Sequence, residues 1–358
     1  SYFYSLYLYR IKEYKKCLQI LNNKNLLERF SKLENKIYLA DYFDLVSKVC
    51  EKLEQYGKSY DYAIKRNNVN LNLDQNKKFN KDLILNTIKS YQNFFETQKK
   101  PSLKQIDKGL NHSNLTFLIG FPRSGTTLLD TILRSHSKTL VLEEKPYLLD
   151  VRHEFYRQNK IDNLLSIDKK YRIELQQMYF NSFNFEKNKI IIDKYPLNLI
   201  ELGFIKTIFP NSKIILAIRH PLDCIISCVL TAFKINDGMT QFENLQTTSL
   251  FYNECFKLFL NYLNFFHIDH HIVKYEEVVL NFEKEISQLL NYLELSFENN
   301  IYNFQKTAKK REKINTPSYS QVVQPLYSSS IGRYKKFEEV NEIKSVTDYW
   351  VKYFSYNV

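Results

Sequence analysis

The chain has 358 residues, 44 % hydrophobic and 25 % charged, ordinary values for a soluble globular protein and enough for one large domain plus a smaller one, or two modest ones. No apolar run approaches the about 20 residues that span a bilayer, so no membrane span is expected. The opening SYFYSLYLYRIKEYKK soon turns basic and lacks a small-residue cleavage site, which argues against a secretory signal.

Net charge is +12, with 51 Lys and Arg against 39 Asp and Glu. A polyanionic partner such as nucleic acid, a membrane surface or a multiply charged cofactor would fit that balance. Heavy use of Lys, Asn, Ile, Tyr and Phe, with only 7 Gly and 8 Pro, offers a plainer source in an AT-rich genome. No nucleic-acid partner is therefore expected, and individual cations must be argued one at a time. The five cysteines (Cys17, Cys50, Cys224, Cys228 and Cys255) form no CxxC pair and lie near no His cluster. Free thiols, a reducing compartment and a cytoplasmic location follow, and no metal site is expected. The chain begins at Ser1 rather than Met, so a preceding portion that could carry a targeting or membrane segment is expected to be missing.

Residues 1–100 read as a helical domain. KIYLADYFDLVSKVCEKLEQYGKSYDYAIKRNN carries apolar and aromatic residues at helical spacing, with a break expected near Gly57. LEQYGKSYDYAI loosely echoes LYRIKEYKKCLQIL, suggesting degenerate tetratricopeptide-like repeats, with a plain helical bundle as the alternative. Polar, Asn-rich residues 68–81 read as a loop, and a helix is expected from about Asp82 to Gln98. Residues 101–114 read as a linker.

From residue 115 to 358 the pattern changes to an α/β domain. LTFLIG (115–120), KIIIDK (189–194), KIILAIR (213–219) and HIVKYEEV (271–278) are short apolar runs, and TLVLEE (139–144) is a further short strand. Such strands alternating with helices predict a central parallel sheet covered on both faces, a P-loop-like three-layer domain. Its helices are expected to start near Gly125, Leu197, Pro221 and Gln241.

The first strand leads into GFPRSGTT, of the form G-x-x-x-x-G-T-T. Backbone N–H groups at a helix start bind anions, and the hydroxyls of Ser124, Thr126 and Thr127 can add hydrogen bonds. A Walker A loop carries Lys where Thr126 stands, so a magnesium triphosphate is disfavoured, while Arg123 puts its charge inside the loop. The bland reading is a tight strand-to-helix turn. LAIRHPLDCIISCVL then sets Arg219 at a strand's carboxyl end, where open α/β sheets bind ligands, with Ser227 two turns into the next helix. Here the alternative is Arg219 paired with Asp223. Two anion sites suit one ligand with two separated phosphate groups.

PRSGTT, IIDKYP and IRHPLDCIIS, in that order, resemble the sulfotransferases that use 3′-phosphoadenosine 5′-phosphosulfate (PAPS). The resemblance is nearest to the tyrosylprotein branch and to bacterial proteins joining tetratricopeptide repeats to such a domain. It covers about 115–338. It implies that Arg123, Ser124, Gly125, Thr126 and Thr127 bind the 5′-phosphosulfate, that Arg219 and Ser227 bind the 3′-phosphate, and that Tyr275 lines the nucleotide. In TPSYSQVVQPLYSSSIGRYKKFEE, Ser318 would contact the phosphosulfate side and Arg333 the phosphates.

Sulfuryl transfer builds charge on the leaving bridging oxygen, and Lys194 is the cation expected to meet it. The His base of many cytosolic sulfotransferases would stand at Pro196, so that assignment fails. The tyrosylprotein branch uses a glutamate after the first helix, and spacing in VLEEKP favours Glu144 over Glu143. An Arg often follows that base by two residues, where this chain has Pro146. The chemistry needs no metal. The expectation is therefore a PAPS-dependent sulfotransferase that also binds adenosine 3′,5′-bisphosphate and acts on a peptide, carbohydrate or small molecule. The alternatives are a P-loop nucleotide kinase or hydrolase, and a repeat-based interaction protein with an inactive sulfotransferase-like domain.

Overall fold

The computed structural model describes residues 1–100, 114–266, 268–310, 323, 326 and 328–356. The chain forms two compact units, one of residues 1–86, 220–253 and 329–358, the other of residues 87–219 and 254–328. The chain opens with helices α1 (Tyr2–Arg10), α2 (Tyr14–Leu21), α3 (Lys24–Lys32), α4 (Ile37–Lys52), α5 (Tyr56–Leu71) and α6 (Leu83–Thr97). Then come β1 (Leu115–Gly120), α7 (Thr126–Arg134), β2 (Thr139–Glu143), α8 (Tyr147–Gln158), α9 (Lys169–Asn181), β3 (Ile190–Lys194), α10 (Leu202–Ile208) and β4 (Lys213–Ile218). The remainder is α11 (Pro221–Leu230), α12 (Leu245–Phe266), β5 (His270–Lys274), α13 (Tyr275–Leu280), α14 (Phe282–Tyr292), α15 (Phe304–Lys310) and α16 (Lys344–Tyr353). The linker expected at 101–114 lies, apart from Asn114, outside the described residues. Among the described residues no helix is long and apolar enough to cross a membrane.

In the second unit the strands form one parallel sheet in the order β2-β3-β1-β4-β5. β1, buried along its whole length, occupies the centre, as a continuous apolar run requires. Its alternating side chains serve two cores. Leu118 packs with Leu129, Ile132, Ile286 and Leu290 from α7 and α14. Phe117 turns to the other face, where Tyr179 of α9 and Phe209 lie 6.3 and 5.9 Å from it, ring centre to ring centre. The result is helix, sheet, helix, with each buried aromatic worth about 1.5–3 kcal/mol by area.

The first unit builds its core from Leu8, Cys17, Leu21, Tyr42, Leu45, Val46, Val49 and Cys50. Buried Arg66 of α5 pairs with Asp44 at 2.8 Å and donates to the carbonyls of Val229 and Leu230 at 2.7 and 3.0 Å. Asn67 adds a bond to Val229 O at 3.1 Å. A cation and an amide thus cap the carboxyl end of α11, where the helix dipole favours them.

The strands match the expected runs to within one residue except at one end. HIVKYEEV was expected to be extended throughout, but β5 stops at Lys274 and YEEVVL forms α13. Glu276 and Glu277 in its first turn suit a helix N-terminus. The break expected at Gly57 falls earlier. Glu54, at φ +58°, ends α4, and Gly57 is already inside α5. α5 also runs to Leu71, into the segment expected to be loop. The helices expected to start near Leu197 and Gln241 open with 3₁₀ turns, at Pro196–Leu199 and Met239–Phe242, before α10 and α12 proper.

Candidate functional site

The loop between β1 and α7 is built around two glycines. A Cβ on Gly120 would lie 2.4 Å from Ala217 O and 2.7 Å from Ser124 Oγ, so only glycine lets the loop leave the sheet here. Gly125 has φ +97° and precedes the first helical residue, Thr126. Its Cβ position is 2.9 Å from Tyr275 Cδ2. Arg123, with φ +71°, is held in the left-handed region without being glycine. Such strain costs of order 1–3 kcal/mol and persists only where the surroundings impose it. Ser124 Oγ is buried and has no hydrogen-bond partner among the described residues. Thr126 and Thr127 are buried in the first turn of α7, whose leading N–H groups have no intrahelical acceptor. The loop therefore supplies backbone and hydroxyl donors together with one arginine.

Lys194 ends β3, the neighbour of β1, in register with Leu118. Its side chain is fully buried, and three carboxylates surround it. Nζ donates to Glu144 Oε1 at 2.7 Å and Glu143 Oε1 at 3.3 Å, and lies 3.8 Å from Asp130 Oδ2. Glu143 stands opposite Lys194 across the β2–β3 ladder. Glu144 N donates to Lys194 O at 2.9 Å, extending that ladder by one bond. Glu144 also has a positive φ, +47°, and its side chain is 35 % exposed, the most open of the three carboxylates. Asp130 is completely buried one turn after Thr126, and its Oδ1 accepts from Arg134 Nε at 3.0 Å. Sequence reading missed Asp130. Its signal was the one acid in the helix TTLLDTILR.

The residue before the lysine faces the other way. Asp193 is buried, accepts a hydrogen bond from Tyr179 OH at 2.6 Å, and burial pushes its carboxyl up to about 7. Next along the chain, burial and then the charge of Glu144 raise the Tyr195 phenol above its ordinary range.

Arg219 follows β4, buried, with its guanidinium 4.9 Å from the centre of the Tyr275 ring. That separation is a cation–π contact. Tyr275 thus touches both Gly125 and Arg219, linking the loop to the end of β4. In this unit the structure brings together Arg123 to Thr127, Glu144, Lys194, Arg219 and Tyr275.

Ser227 and Arg333 belong to the other unit. Ser227 is buried on α11, and its carbonyl accepts from Thr231 Oγ1 at 2.6 Å. Asp223, on the same helix, accepts from the backbone N–H groups of Gly332 and Tyr334, both at 2.8 Å. His220, the residue before α11, stacks on Tyr334 with ring centres 4.4 Å apart. Arg333 pairs with Glu51 at 2.7 Å. Ser318 lies outside the described residues.

A parallel sheet whose central strand runs through a glycine-framed, donor-rich loop into a helix defines a P-loop-like α/β protein. Residues 116–299 match the model of the sulfotransferase family, and the chain belongs to that family. It is 25 % identical over 311 residues to an uncharacterized protein of Aquifex aeolicus (strain VF5), covering 82 % of this chain and 39 % of that protein. The chain thus spans well under half the length of that relative. Among solved structures it is similar to a sulfotransferase domain from the curacin biosynthetic pathway, at 19 % identity and a TM-score of 0.49, covering 68 % of this chain and 98 % of that one. It is also similar to the sulfotransferase domain of the Synechococcus PCC 7002 olefin synthase, at 16 % identity and a TM-score of 0.47, covering 73 % and 99 %.

Proposed function

We propose that the chain transfers a sulfuryl group from PAPS to a hydroxyl or phenol of an acceptor. The observation that carries this reading is the cluster at Lys194, where one buried cation meets a half-open carboxylate and lies 3.8 Å from Asp130 on the helix that follows the GFPRSGTT loop. The orphaned Ser124 Oγ and the two glycine positions that a Cβ would block are features a bound phosphosulfate would explain. The Arg219–Tyr275 pair supplies a fixed charge for a second phosphate and an aromatic wall for a base. PAPS, when bound, supplies a sulfuryl group on a phosphate leaving group.

The residues then divide the work. Glu144, the more exposed partner of Lys194, takes the proton of the acceptor hydroxyl. The acceptor oxygen forms its bond to sulfur as the bond to the bridging oxygen breaks. Lys194 donates to that bridging oxygen, and fixed donors on Ser124, Thr126 and Thr127 meet the growing charge without reorganising. Arg123 neutralises the phosphosulfate. Assignment of Ser227, Ser318 and Arg333 to the nucleotide rests on the motif resemblance alone. The proposal that the amino-terminal helices are tetratricopeptide-like and present the acceptor rests on the echo of LYRIKEYKKCLQIL in LEQYGKSYDYAI.

Competition binding tests the donor. Adenosine 3′,5′-bisphosphate should bind at least about tenfold tighter than ADP, a margin of about 1.4 kcal/mol assigned to the 3′-phosphate. Tighter binding of ADP or ATP with magnesium would instead favour a P-loop kinase or hydrolase.

A further inference from the structure

We infer that Asp130 is a positioning residue, the standing counter-ion that keeps the Lys194 ammonium between the loop helix and Glu144. The inference rests on the proposed roles of Lys194 and Glu144 but concerns a residue that those roles do not require.

Three observations carry it. Asp130 is the only one of the three carboxylates around Lys194 with no exposure at all, and Glu144 is the most open. A charge in that position is kept only when paired. Asp130 spends Oδ1 on Arg134 and turns Oδ2 to Lys194 at 3.8 Å. It also sits four residues after Thr126, so the two lie on one face of α7. The helix that begins at the anion loop therefore carries its own anchor for the lysine of the neighbouring strand.

The division of labour follows. Glu144 holds Lys194 at 2.7 Å, but a carboxylate that accepts a proton becomes neutral and stops attracting an ammonium. At that moment Lys194 must already point toward the leaving oxygen. Glu143 pulls it along the sheet edge, whereas Asp130 pulls it toward α7, beside the loop. Losing Asp130 leaves the lysine to the two glutamates, away from the group it has to meet.

The test is read on the lysine itself. In full-length protein labelled with ¹⁵N-lysine, a slowly exchanging ammonium signal deleted by Lys194→Met identifies Nζ. Asp130→Asn should broaden that signal into fast exchange or move it clear of its original position. Arg134→Gln, which keeps Asp130, should leave it slow and visible. Asp130→Glu should keep it slow but displaced, and serves as the readout if Asp130→Asn does not fold. An unchanged Lys194 signal in Asp130→Asn or Asp130→Glu, or no slow signal in the parent, overturns the inference. A second arm follows transfer of ³⁵S from labelled PAPS to the hydroxyl-bearing acceptors of a native extract. Asp130→Asn should lower kcat about tenfold with KM within about threefold, because the interaction matters in the transition state rather than in binding. Equal kcat in variant and parent would also overturn it. If the parent binds no adenosine 3′,5′-bisphosphate, the donor assignment fails, while the lysine spectrum still reports on Asp130.

Discussion

Gly125→Ala probes the joint between the loop and the nucleotide side of the site. Gly125 sits at φ +97°, where an added Cβ costs about 1–2 kcal/mol for conformation alone. The new Cβ would also lie 2.9 Å from Tyr275 Cδ2 and 3.4 Å from Tyr275 Cβ, so the ring must move. Forcing a methyl into packed surroundings adds roughly 1–3 kcal/mol. Gly332→Ala is the control, since Gly332 has φ +67° but its nearest neighbour, Lys335 Cδ, is 3.8 Å away. That variant should show only the conformational cost. Urea unfolding followed by circular dichroism should therefore place Gly125→Ala about 1–3 kcal/mol below Gly332→Ala. Because Tyr275 also carries Arg219 at 4.9 Å, displacing the ring should weaken adenosine 3′,5′-bisphosphate binding by about tenfold or more. Equal destabilisation by the two alanines, with unchanged nucleotide affinity, would refute the contact between loop and Tyr275.

Arg219→Ala should cut affinity for adenosine 3′,5′-bisphosphate by about 10- to 100-fold, the worth of a charged hydrogen bond, with little effect on AMP. Calorimetric titration of both ligands separates the outcomes, and equal losses would remove Arg219 from the 3′-phosphate. Glu144→Gln should keep nucleotide binding and lose about 10²–10⁴ in transfer rate, read in single-turnover assays, whereas transfer at the parent rate would put the base elsewhere. The Asp193 carboxyl is raised by burial from 3.8 to about 7, so the folded state binds its proton more tightly than the unfolded state. Its contribution is fully present below the unfolded value and is lost as pH rises toward about 7, roughly 4 kcal/mol in all. Thermal melts from pH 4 to 8 should show that slope in the parent and a flatter one in Asp193→Asn, and parallel slopes would contradict the assignment.

The sheet was legible because its strands are short, continuous apolar runs that cannot be amphipathic helices, and β1 falls on LTFLIG without an offset. The stretch after Lys274 was misread because Val and Tyr suit strands as well as helices, and the two glutamates that favour a helix start looked like a strand edge. In the candidate site, residue types could be read but not their geometry. Nothing in VLEEKP shows that Glu144 adopts φ +47° or that both glutamates reach one lysine 50 residues on. The pairing of Asp130 could not be read for a related reason, since its partner Lys194 lies on another element. The Arg333–Glu51 pair joins residues 282 positions apart, a contact no local pattern can announce.

The most direct measurement incubates the protein with ³⁵S-labelled PAPS and a native extract, then follows the label. The account expects transfer of label to a hydroxyl-bearing acceptor by the parent protein and none by Lys194→Met. No transfer by the parent, or equal transfer by Lys194→Met, would contradict it.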